Sequence, residues 1–397
     1  MRVFDVRYEA MPRAELEQLQ LERLQALLVR LKRNVRRYRE QLGDARAESL
    51  DDLARLPRTT PEDMADAFPY GMFALPLREV IRLHSTTGPQ GKPLVIGHTQ
   101  NDLAQWGRLA ARQLFASGAT ANDVIQVCLG NARNRGEAGY ALGAELIEAS
   151  VIAEEPFHID AQLSMLQNYR PTVLVTTPSN ALELMSLIAQ RRMDPPSLQL
   201  RTLLLTRPVD DETREQLRTG LLVSVQSNFG IDEVLDPGLC VECEKGRFHV
   251  NEDQFLVEVQ DGELLLTTLC REAMPLLRFS TRVACTMSRE RCPCGRTGVT
   301  IQPGKRLDGR LRVRETPIYE GQIAEVLYQT RIAGHPFRLK VEQPHIVISV
   351  AMTDALFSDM IWPIERLRQE IEAEFRARLG VEAKVNFTEV RTGMPPE

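Results

Sequence analysis

The stretch TVLVTTPS, residues 172–179, is a short run of apolar and β-branched residues followed at once by Pro178 and Ser179. Such a run is typical of a buried strand, and a proline at this position is typical of the first turn of a helix. Apolar runs alternate with helical patterns in the same way from residue 124 to residue 230. Strands covered by helices on both faces have this pattern. We therefore predict a three-layer α/β domain built on a mostly parallel sheet.

The remaining patterns extend this prediction in both directions. The predicted strands of the sheet are VIQVCL (124–129), SVIAE (150–154), TVLVTT (172–177), LRTLLLT (200–206) and LLVSVQSNFG (221–230). The predicted helices between them are 137–146, 178–192 and 210–220. Apolar residues three or four apart within residues 14–40 predict an amphipathic helix ahead of the sheet. Short strands follow residue 254, including PLLRFS and VACTMS as two separate strands, and a compact α+β pattern follows them.

We expect two domains, residues 1–305 and residues 306–397. The first would be a large α/β domain with mostly parallel sheets, helices and a small β region. The second would be a smaller α+β domain.

Composition and charge exclude several classes of function. The chain has 397 residues and a formal net charge of −5, which leaves no basic surface of the kind that nucleic acid requires. No apolar run approaches the roughly 20 residues of a membrane span. The first ten residues lack the apolar segment of a signal peptide. With seven cysteines, an odd number, we expect a cytoplasmic chain with reduced thiols and neither a nucleic-acid nor a membrane partner.

The stretch HSTTGPQGKPL, residues 84–94, has two glycines, a lysine and several hydroxyls. This composition is typical of a loop whose backbone amides surround phosphate. A phosphate loop here would consist of Thr86, Thr87, Gly88, Gly91 and Lys92. Taken alone the motif is weak, because a surface β-turn can have the same composition.

A second constellation consists of Cys243-x5-His249 and Cys292-x-Cys294. Three thiolates and an imidazole suit Zn²⁺ in a tetrahedral site, and four protein ligands leave no open position for a substrate. We therefore expect a structural zinc clamp within residues 240–296. Cys240 competes with His249 as the fourth ligand, because Cys240-x2-Cys243 also has metal-like spacing. A set of free, reduced cysteines is the alternative.

Several stretches, in order along nearly the whole chain, resemble the phenylacetate–coenzyme A ligase family of adenylate-forming enzymes. They are LQLERLQALLVRLKRNVRRYRE, SLDDLARLPRTTPEDMADAFPYGMFALPLREVIRLHSTTG, GKPLVIGHTQNDLAQW, SNFGIDEV, REAMPLLRFSTRV and KRLDGRLRVRETPIYEGQIAEVL. The resemblance implies a large amino-terminal adenylate-forming domain and a smaller α+β lid. It also implies that ATP and Mg²⁺ activate an aromatic or small carboxylic acid, and that coenzyme A then takes the acyl group.

The resemblance also implies roles for individual residues. Phe229 and Gly230 match the family's nucleotide-binding motif, whose aromatic residue stacks on adenine. Glu233 matches the glutamate that holds Mg²⁺, and hard oxygen ligands suit that ion. Arg306 matches a nucleotide-binding arginine, and Asp308 matches the aspartate of the hinge.

The chain departs from the family pattern at several places. Val283 stands where the family has an aspartate that accepts the ribose hydroxyls, and Pro89 and Gln90 stand where it has two threonines. The family's catalytic lysine lies beyond the last strand, about where this sequence stops. We therefore expect a lid that ends before that lysine, and no certain catalytic residue.

These departures leave two other functions open. One is a diverged acyltransferase or thioester-handling protein that makes no adenylate and uses coenzyme A or a carrier-protein thiol. The other is a non-catalytic binding partner. A homodimer is open as well.

Overall fold

The computed structural model describes residues 2–129, 136–152, 158–313, 316–330, 332, 337–342, 345–352 and 361–389. The described strands are β1 (Arg82–Thr87), β2 (Pro93–His98), β3 (Val124–Cys128), β4 (Ser150–Ile152), β5 (Val173–Thr176), β6 (Thr202–Leu205), β7 (Ser224–Ser227), β8 (Cys240–Glu242), β9 (Phe248–Val250), β10 (Phe255–Gln260), β11 (Glu263–Thr268), β12 (Phe279–Ser288), β13 (Thr300–Arg306), β14 (Arg310–Val313), β15 (Thr316–Tyr319), β16 (Phe337–Glu342), β17 (His345–Met352) and β18 (Ala383–Glu389). The described α-helices are α1 (Val6–Glu9), α2 (Arg13–Asn34), α3 (Arg36–Leu42), α4 (Pro61–Asp66), α5 (Gln100–Ala116), α6 (Glu137–Leu146), α7 (Ile159–Tyr169), α8 (Pro178–Gln190), α9 (Asp211–Leu221), α10 (Glu320–Tyr328) and α11 (Ile361–Leu379).

The central sheet has five strands in the order β4-β3-β5-β6-β7, and every neighbouring pair is parallel. The helix after β5 begins as its sequence predicts. Pro178 occupies its first turn, and the Thr177 hydroxyl accepts a hydrogen bond from the Asn180 amide at 3.2 Å. The predicted parallel α/β sheet is confirmed.

Two separate cores cover the two faces of this sheet, because successive strand residues point to opposite faces. On one face, Leu174, Leu203 and Leu205 pack with apolar residues of helices α7, α8 and α9. On the other face, Val173 and Val175 pack with residues of helices α5 and α6. The sheet is therefore the middle of three layers, as predicted.

The order of the strands in the central sheet reverses direction at β3. The chain runs from β3 outward to β4 and then returns to β5 on the other side of β3. In open α/β sheets, ligands bind outside the carboxyl ends of the strands near such a reversal. Strand β7 is parallel to the other strands, so its carboxyl end lies on the same side of the sheet as theirs. The SNFGIDEV segment begins at the last residue of β7.

Two sequence expectations differ from the structure. The amphipathic helix predicted within residues 14–40 is two helices, because Val35 is extended, with φ −113° and ψ 114°. This break turns Tyr38 into the core, where its hydroxyl lies 2.6 Å from the Thr59 hydroxyl. Of the two strands predicted as PLLRFS and VACTMS, the second lies wholly within β12, whereas only Phe279 and Ser280 of the first belong to it. Strand β12 carries a register shift between Val283 and Cys285 and belongs to a six-stranded sheet.

The chain divides into two compact units. The first comprises residues up to Gly88 and Pro93–Leu307, and the second comprises Pro89–Lys92 and residues from Asp308 onward. The second unit contains the β14–β15 hairpin, a three-stranded β16-β17-β18 sheet, and a core that includes residues of helices α10 and α11. No helix in the described ranges has the length and apolar character needed to cross a membrane.

A buried ion pair fixes the amino-terminal segment to the first unit. Arg296 Nε donates to Glu9 Oε2 at 2.9 Å, and both side chains are almost fully buried. The other carboxylate oxygen, Glu9 Oε1, accepts from the amides of Phe4 and Asp5 at 3.0 and 2.9 Å. Each carboxylate oxygen of Glu9 therefore accepts at least one hydrogen bond.

We predict that Arg296→Met destabilises the fold by about 3–5 kcal/mol, because it leaves the Glu9 carboxylate buried without its cation. Chemical denaturation measures the loss. The double variant Glu9→Leu/Arg296→Met should recover much of it, since an apolar pair can replace a buried ion pair. Arg218→Met removes one partner of the exposed Arg218–Glu215 pair and is the control, expected to leave stability nearly unchanged. Equal losses in Arg296→Met and Arg218→Met would contradict this account.

Candidate active site and metal centre

The candidate phosphate loop connects the two strands of a β-hairpin. Strands β1 and β2 pair antiparallel, from Arg82 opposite His98 to Thr87 opposite Pro93. Between them, residues Pro89–Gly91 form a 3₁₀ turn that the Lys92 amide closes by donating to the Pro89 carbonyl at 3.1 Å. Gly91 has φ +78°, a conformation that favours glycine.

Thr86, the first threonine of this loop, carries a hydroxyl that lacks a protein partner. Thr86 is 2% exposed, and its Oγ1 has no hydrogen-bond partner among the described residues. Buried polar atoms are normally paired, so an unpaired one next to a glycine-rich turn fits a ligand oxygen. Thr87 and Gly88 continue the strand into the turn, Thr87 half-buried and Gly88 buried.

The nucleotide motif folds back on itself after strand β7. The Ile231 amide donates to the Leu235 carbonyl at 3.2 Å, and the Val234 amide donates to the Ile231 carbonyl at 2.8 Å. Glu233 lies between them and is 3% exposed. At Gly230 a Cβ atom would stand 2.3 Å from the Asp236 carboxylate, so no larger residue fits there without displacing Asp236.

The other residues that the resemblance assigns to the nucleotide lie in three places. The Phe229 ring is buried and packs edge-on against Phe248, with centroids 6.5 Å apart. Arg306 is directly opposite Val283 across the β12–β13 pair, and Val283 is 4% exposed within the core. Asp308 accepts a hydrogen bond from the Arg310 amide at 3.3 Å. The expected end of the lid, residues 390–397, lies outside the described residues.

A small cavity lies between the hairpin, helix α5 and the motif that follows β7. Its lining residues are His84, Ile96, His98, Trp106, Asp232, Val234, Leu235 and Asp236. The rings of His84 and His98 stack with centroids 5.2 Å apart, and His98 stacks on Trp106 at 5.1 Å. Sequence reasoning did not single out His98 or Trp106. They occur in GKPLVIGHTQNDLAQW, one of the stretches that carry the family resemblance.

The four metal-ligand candidates converge at one point. One ligand atom from each of Cys243, His249, Cys292 and Cys294 lies within 4.8 Å of all the others, and all four residues are buried. The Sγ atoms of Cys243 and Cys292 are 3.8 Å apart. Two thiolates at about 2.3 Å from a tetrahedral ion stand about 3.8 Å apart, so the spacing fits Zn²⁺. Within the described ranges Cys240 is not part of this group and lies in strand β8.

Burial and local hydrogen bonds set the protonation of three of these four side chains in the absence of a metal ion. His249 Nδ1 lies 3.0 Å from the Gly298 carbonyl, which fixes the hydrogen on Nδ1 and leaves Nε2, 3.3 Å from Cys294 Sγ, free to bind. Burial lowers the pKa of His249 to about 4, so the ring is neutral at pH 7. Burial raises the pKa of Cys243 to about 12. Against the effect of burial, hydrogen bonds from Cys294 and Cys243 lower the pKa of Cys292.

Comparison with known proteins identifies the family. The chain is 35% identical over 340 residues to the phenylacetate-coenzyme A ligase of Thermus thermophilus, a match that covers 80% of this chain and 76% of that one. It is 30% identical over 354 residues to the Escherichia coli K12 enzyme of the same name, covering 83% and 80%.

Among solved structures, a 2-hydroxyisobutyryl-CoA ligase in complex with 2-HIB-AMP and CoA superposes with a TM-score of 0.87. The match has 22% identity and covers 100% of this chain and 91% of that one, which shows a shared fold. No family model matches the chain. The two ligases confirm the resemblance seen in the sequence, and the chain belongs to the phenylacetate–coenzyme A ligase family.

Proposed function

We propose that this chain activates a carboxylic acid with ATP to an acyl-adenylate and transfers the acyl group to coenzyme A, with phenylacetate and related aromatic or small acids as its substrate class. The observation that carries the proposal is the 35% identity to the Thermus thermophilus ligase across 80% of the chain. The site supports it, because the motif after β7 and the β1–β2 hairpin line one cavity at the carboxyl edge of the parallel sheet.

Each part of the proposed site has a physical role. ATP, when bound, supplies the adenylyl group and pyrophosphate as the leaving group. The Thr86 hydroxyl, unpaired among the described residues, and the turn at Gly88 and Gly91 suit phosphate oxygens, and Lys92 adds a positive charge. The absence of a side chain at Gly230 leaves space beside Asp236, and the Glu233 carboxylate would hold Mg²⁺.

Two residues that differ from the family pattern lower the affinity expected for ATP. Val283 has no acceptor for the ribose hydroxyls, and Pro89 has no amide to donate to phosphate. Losing two such contacts costs on the order of 2–4 kcal/mol, or roughly 30- to 1000-fold in affinity. Weak ATP binding is what favours the second candidate function, an acyltransferase that starts from an already activated acyl group.

The proposed enzyme would have a structural metal ion, coenzyme A as its acceptor and two domains. The Cys243, His249, Cys292 and Cys294 group would hold a structural Zn²⁺. The protein would be cytoplasmic and a homodimer, with coenzyme A rather than a carrier-protein thiol as acceptor. Residues 1–305 would form the adenylate-forming domain and residues 306–397 the lid, with Asp308 at the hinge between them.

We expect phenylacetate-dependent exchange of labelled pyrophosphate into ATP, followed by thioester formation when coenzyme A is added. Glu233→Gln should lower the exchange rate by at least about 100-fold, because removing a group that stabilises the transferred charge typically has this effect. Acyl transfer from a supplied thioester, without exchange for any acid of an aromatic panel, would favour the acyltransferase. Absence of both activities in the full-length protein would favour the binding partner.

Val283→Asp should tighten ATP binding about 10- to 100-fold, because the new carboxylate can accept the ribose hydroxyls and lies opposite Arg306 across the strand pair. Isothermal titration with ATP measures the change. Val283→Leu, which adds no acceptor, should leave the dissociation constant within about twofold. A folded Val283→Asp variant with unchanged affinity would show that the ribose does not reach this position.

Elemental analysis of chelator-washed protein should find about one zinc per chain. His249→Ala and Cys294→Ser should lose the ion and melt at lower temperature, because a structural metal contributes folding free energy. Cys240→Ser and Cys270→Ser should retain it, because neither residue belongs to the four-residue group. Less than about a tenth of an equivalent in the unaltered protein would leave only reduced cysteines.

A further inference from the structure

Arg271 joins two segments that are far apart in sequence. It lies between strands β11 and β12 and is 9% exposed. Its Nη1 donates to the Val234 carbonyl, within the motif that follows β7. Its Nη2 donates to the Gly97 carbonyl of strand β2 at 3.1 Å. One guanidinium therefore bridges the Glu233 segment and the β1–β2 hairpin.

The charge of Arg271 has little direct compensation. Among the described residues it forms no ion pair within 4.0 Å, and its Nε has no hydrogen-bond partner. Asp102, whose negative charge partly offsets the effect of burial on Arg271, already accepts hydrogen bonds from the amides of Thr99, Glu272 and Ala273. Burial lowers the pKa of the Arg271 guanidinium from its ordinary value. A buried cation held mainly by carbonyls stabilises a fold poorly, so stability alone does not account for it.

The aromatic stack beside Arg271 secures the same segment at a second point. Both ring nitrogens of His98 lie 3.5 Å from Arg271 Nη2, so the guanidinium approaches the imidazole ring. His98 stacks on Trp106, whose Nε1 donates to the Pro237 carbonyl at 2.9 Å. The segment is thus held at Val234 and at Pro237 by donors that are themselves packed together.

We propose that Arg271 is a positioning residue, which fixes the Phe229–Pro237 segment relative to the β1–β2 hairpin and so sets where the Glu233 carboxylate stands with respect to Thr86 and Gly88, at the end of strand β1. This rests on the proposed function, in which both segments contact the adenylate. A displacement of about 1 Å at such a site can lower the reaction rate about 100-fold, because the reacting groups are no longer correctly aligned. Arg271 acts through the backbone and does not itself touch the reacting atoms.

The test compares Arg271→Lys with Arg278→Lys. Lysine keeps the charge but presents a single ammonium in place of the planar fork that spans two carbonyls. Arg278 is the control, because it is also buried and also donates to two carbonyls, those of Ala54 and Leu56, although it has in addition an ion pair with Glu258 that Arg271 lacks. It lies outside the cavity and the motif, so replacing it measures the effect on the fold of altering a buried arginine that is held at least as strongly as Arg271.

Two readouts separate positioning from stability. Isothermal titration with phenylacetyl-sulfamoyl-adenosine, a stable acyl-adenylate analogue, measures how well the two segments are aligned. Hydrogen exchange of the amides in residues 229–237 of the unliganded protein measures how firmly the segment is held. Thermal melting of both variants provides the comparison of overall stability.

We expect Arg271→Lys to bind the analogue about 10- to 100-fold more weakly and to exchange faster across residues 229–237. Arg278→Lys should lose at least as much thermal stability, because it also weakens the Glu258 ion pair, yet keep the dissociation constant within about twofold and the exchange of residues 229–237 unchanged. Equal effects of the two variants on the analogue, or unchanged exchange in Arg271→Lys, would overturn the proposal. If the unaltered protein fails to bind the analogue, the proposed function fails, and the exchange experiment alone decides whether Arg271 positions the segment.

Discussion

The backbone carbonyls of the segment after β7 impose the main constraint on this site. When the chain leaves the parallel sheet at Ser227, it loses the partners that the neighbouring strand supplied, and buried carbonyls must find other donors. The Ile231 and Leu235 carbonyls accept from backbone amides within the segment, while the Val234 and Pro237 carbonyls accept from the side chains of Arg271 and Trp106. Both side-chain donors are themselves packed: Trp106 belongs to helix α5, and the Arg271 guanidinium is also bonded to the Gly97 carbonyl of strand β2. The position of Glu233 therefore depends on these two hydrogen bonds.

The sheet and its helices could be predicted from the sequence because their signals are local. Apolar runs of strand length and a proline in the first turn of α8 lie within a few residues of the structure that they cause. The break at Val35 could not be predicted in this way. Val35 falls within the apolar stripe of the helical pattern, and the break depends on Tyr38 reaching Thr59 and the Leu277 amide, 239 residues further along.

The site was predictable only in part, for the same reason. The hairpin and the Gly230–Glu233 motif are continuous in sequence, so they could be located by comparison with family patterns. Arg271 meets Gly97 across 174 residues, and Trp106 meets Pro237 across 131. A basic residue after a strand and a tryptophan in an amphipathic helix have no distinctive local pattern. Their importance arises from packing, and only the three-dimensional structure brings both of them to the segment that follows β7.

The Cys3His group also has a consequence for the order in which the chain folds. Cys243 and Cys292 are 49 residues apart, and strands β9 to β12 lie between them. Binding an ion in the unfolded chain would require closing a loop of that length, at a cost in conformational entropy. The sheet can bring the ligands together instead, since His249 is aligned by pairing with Thr300 across β9 and β13. Metal binding would therefore be a late step of folding, and it would stabilise a β-sheet whose strands are already paired in register.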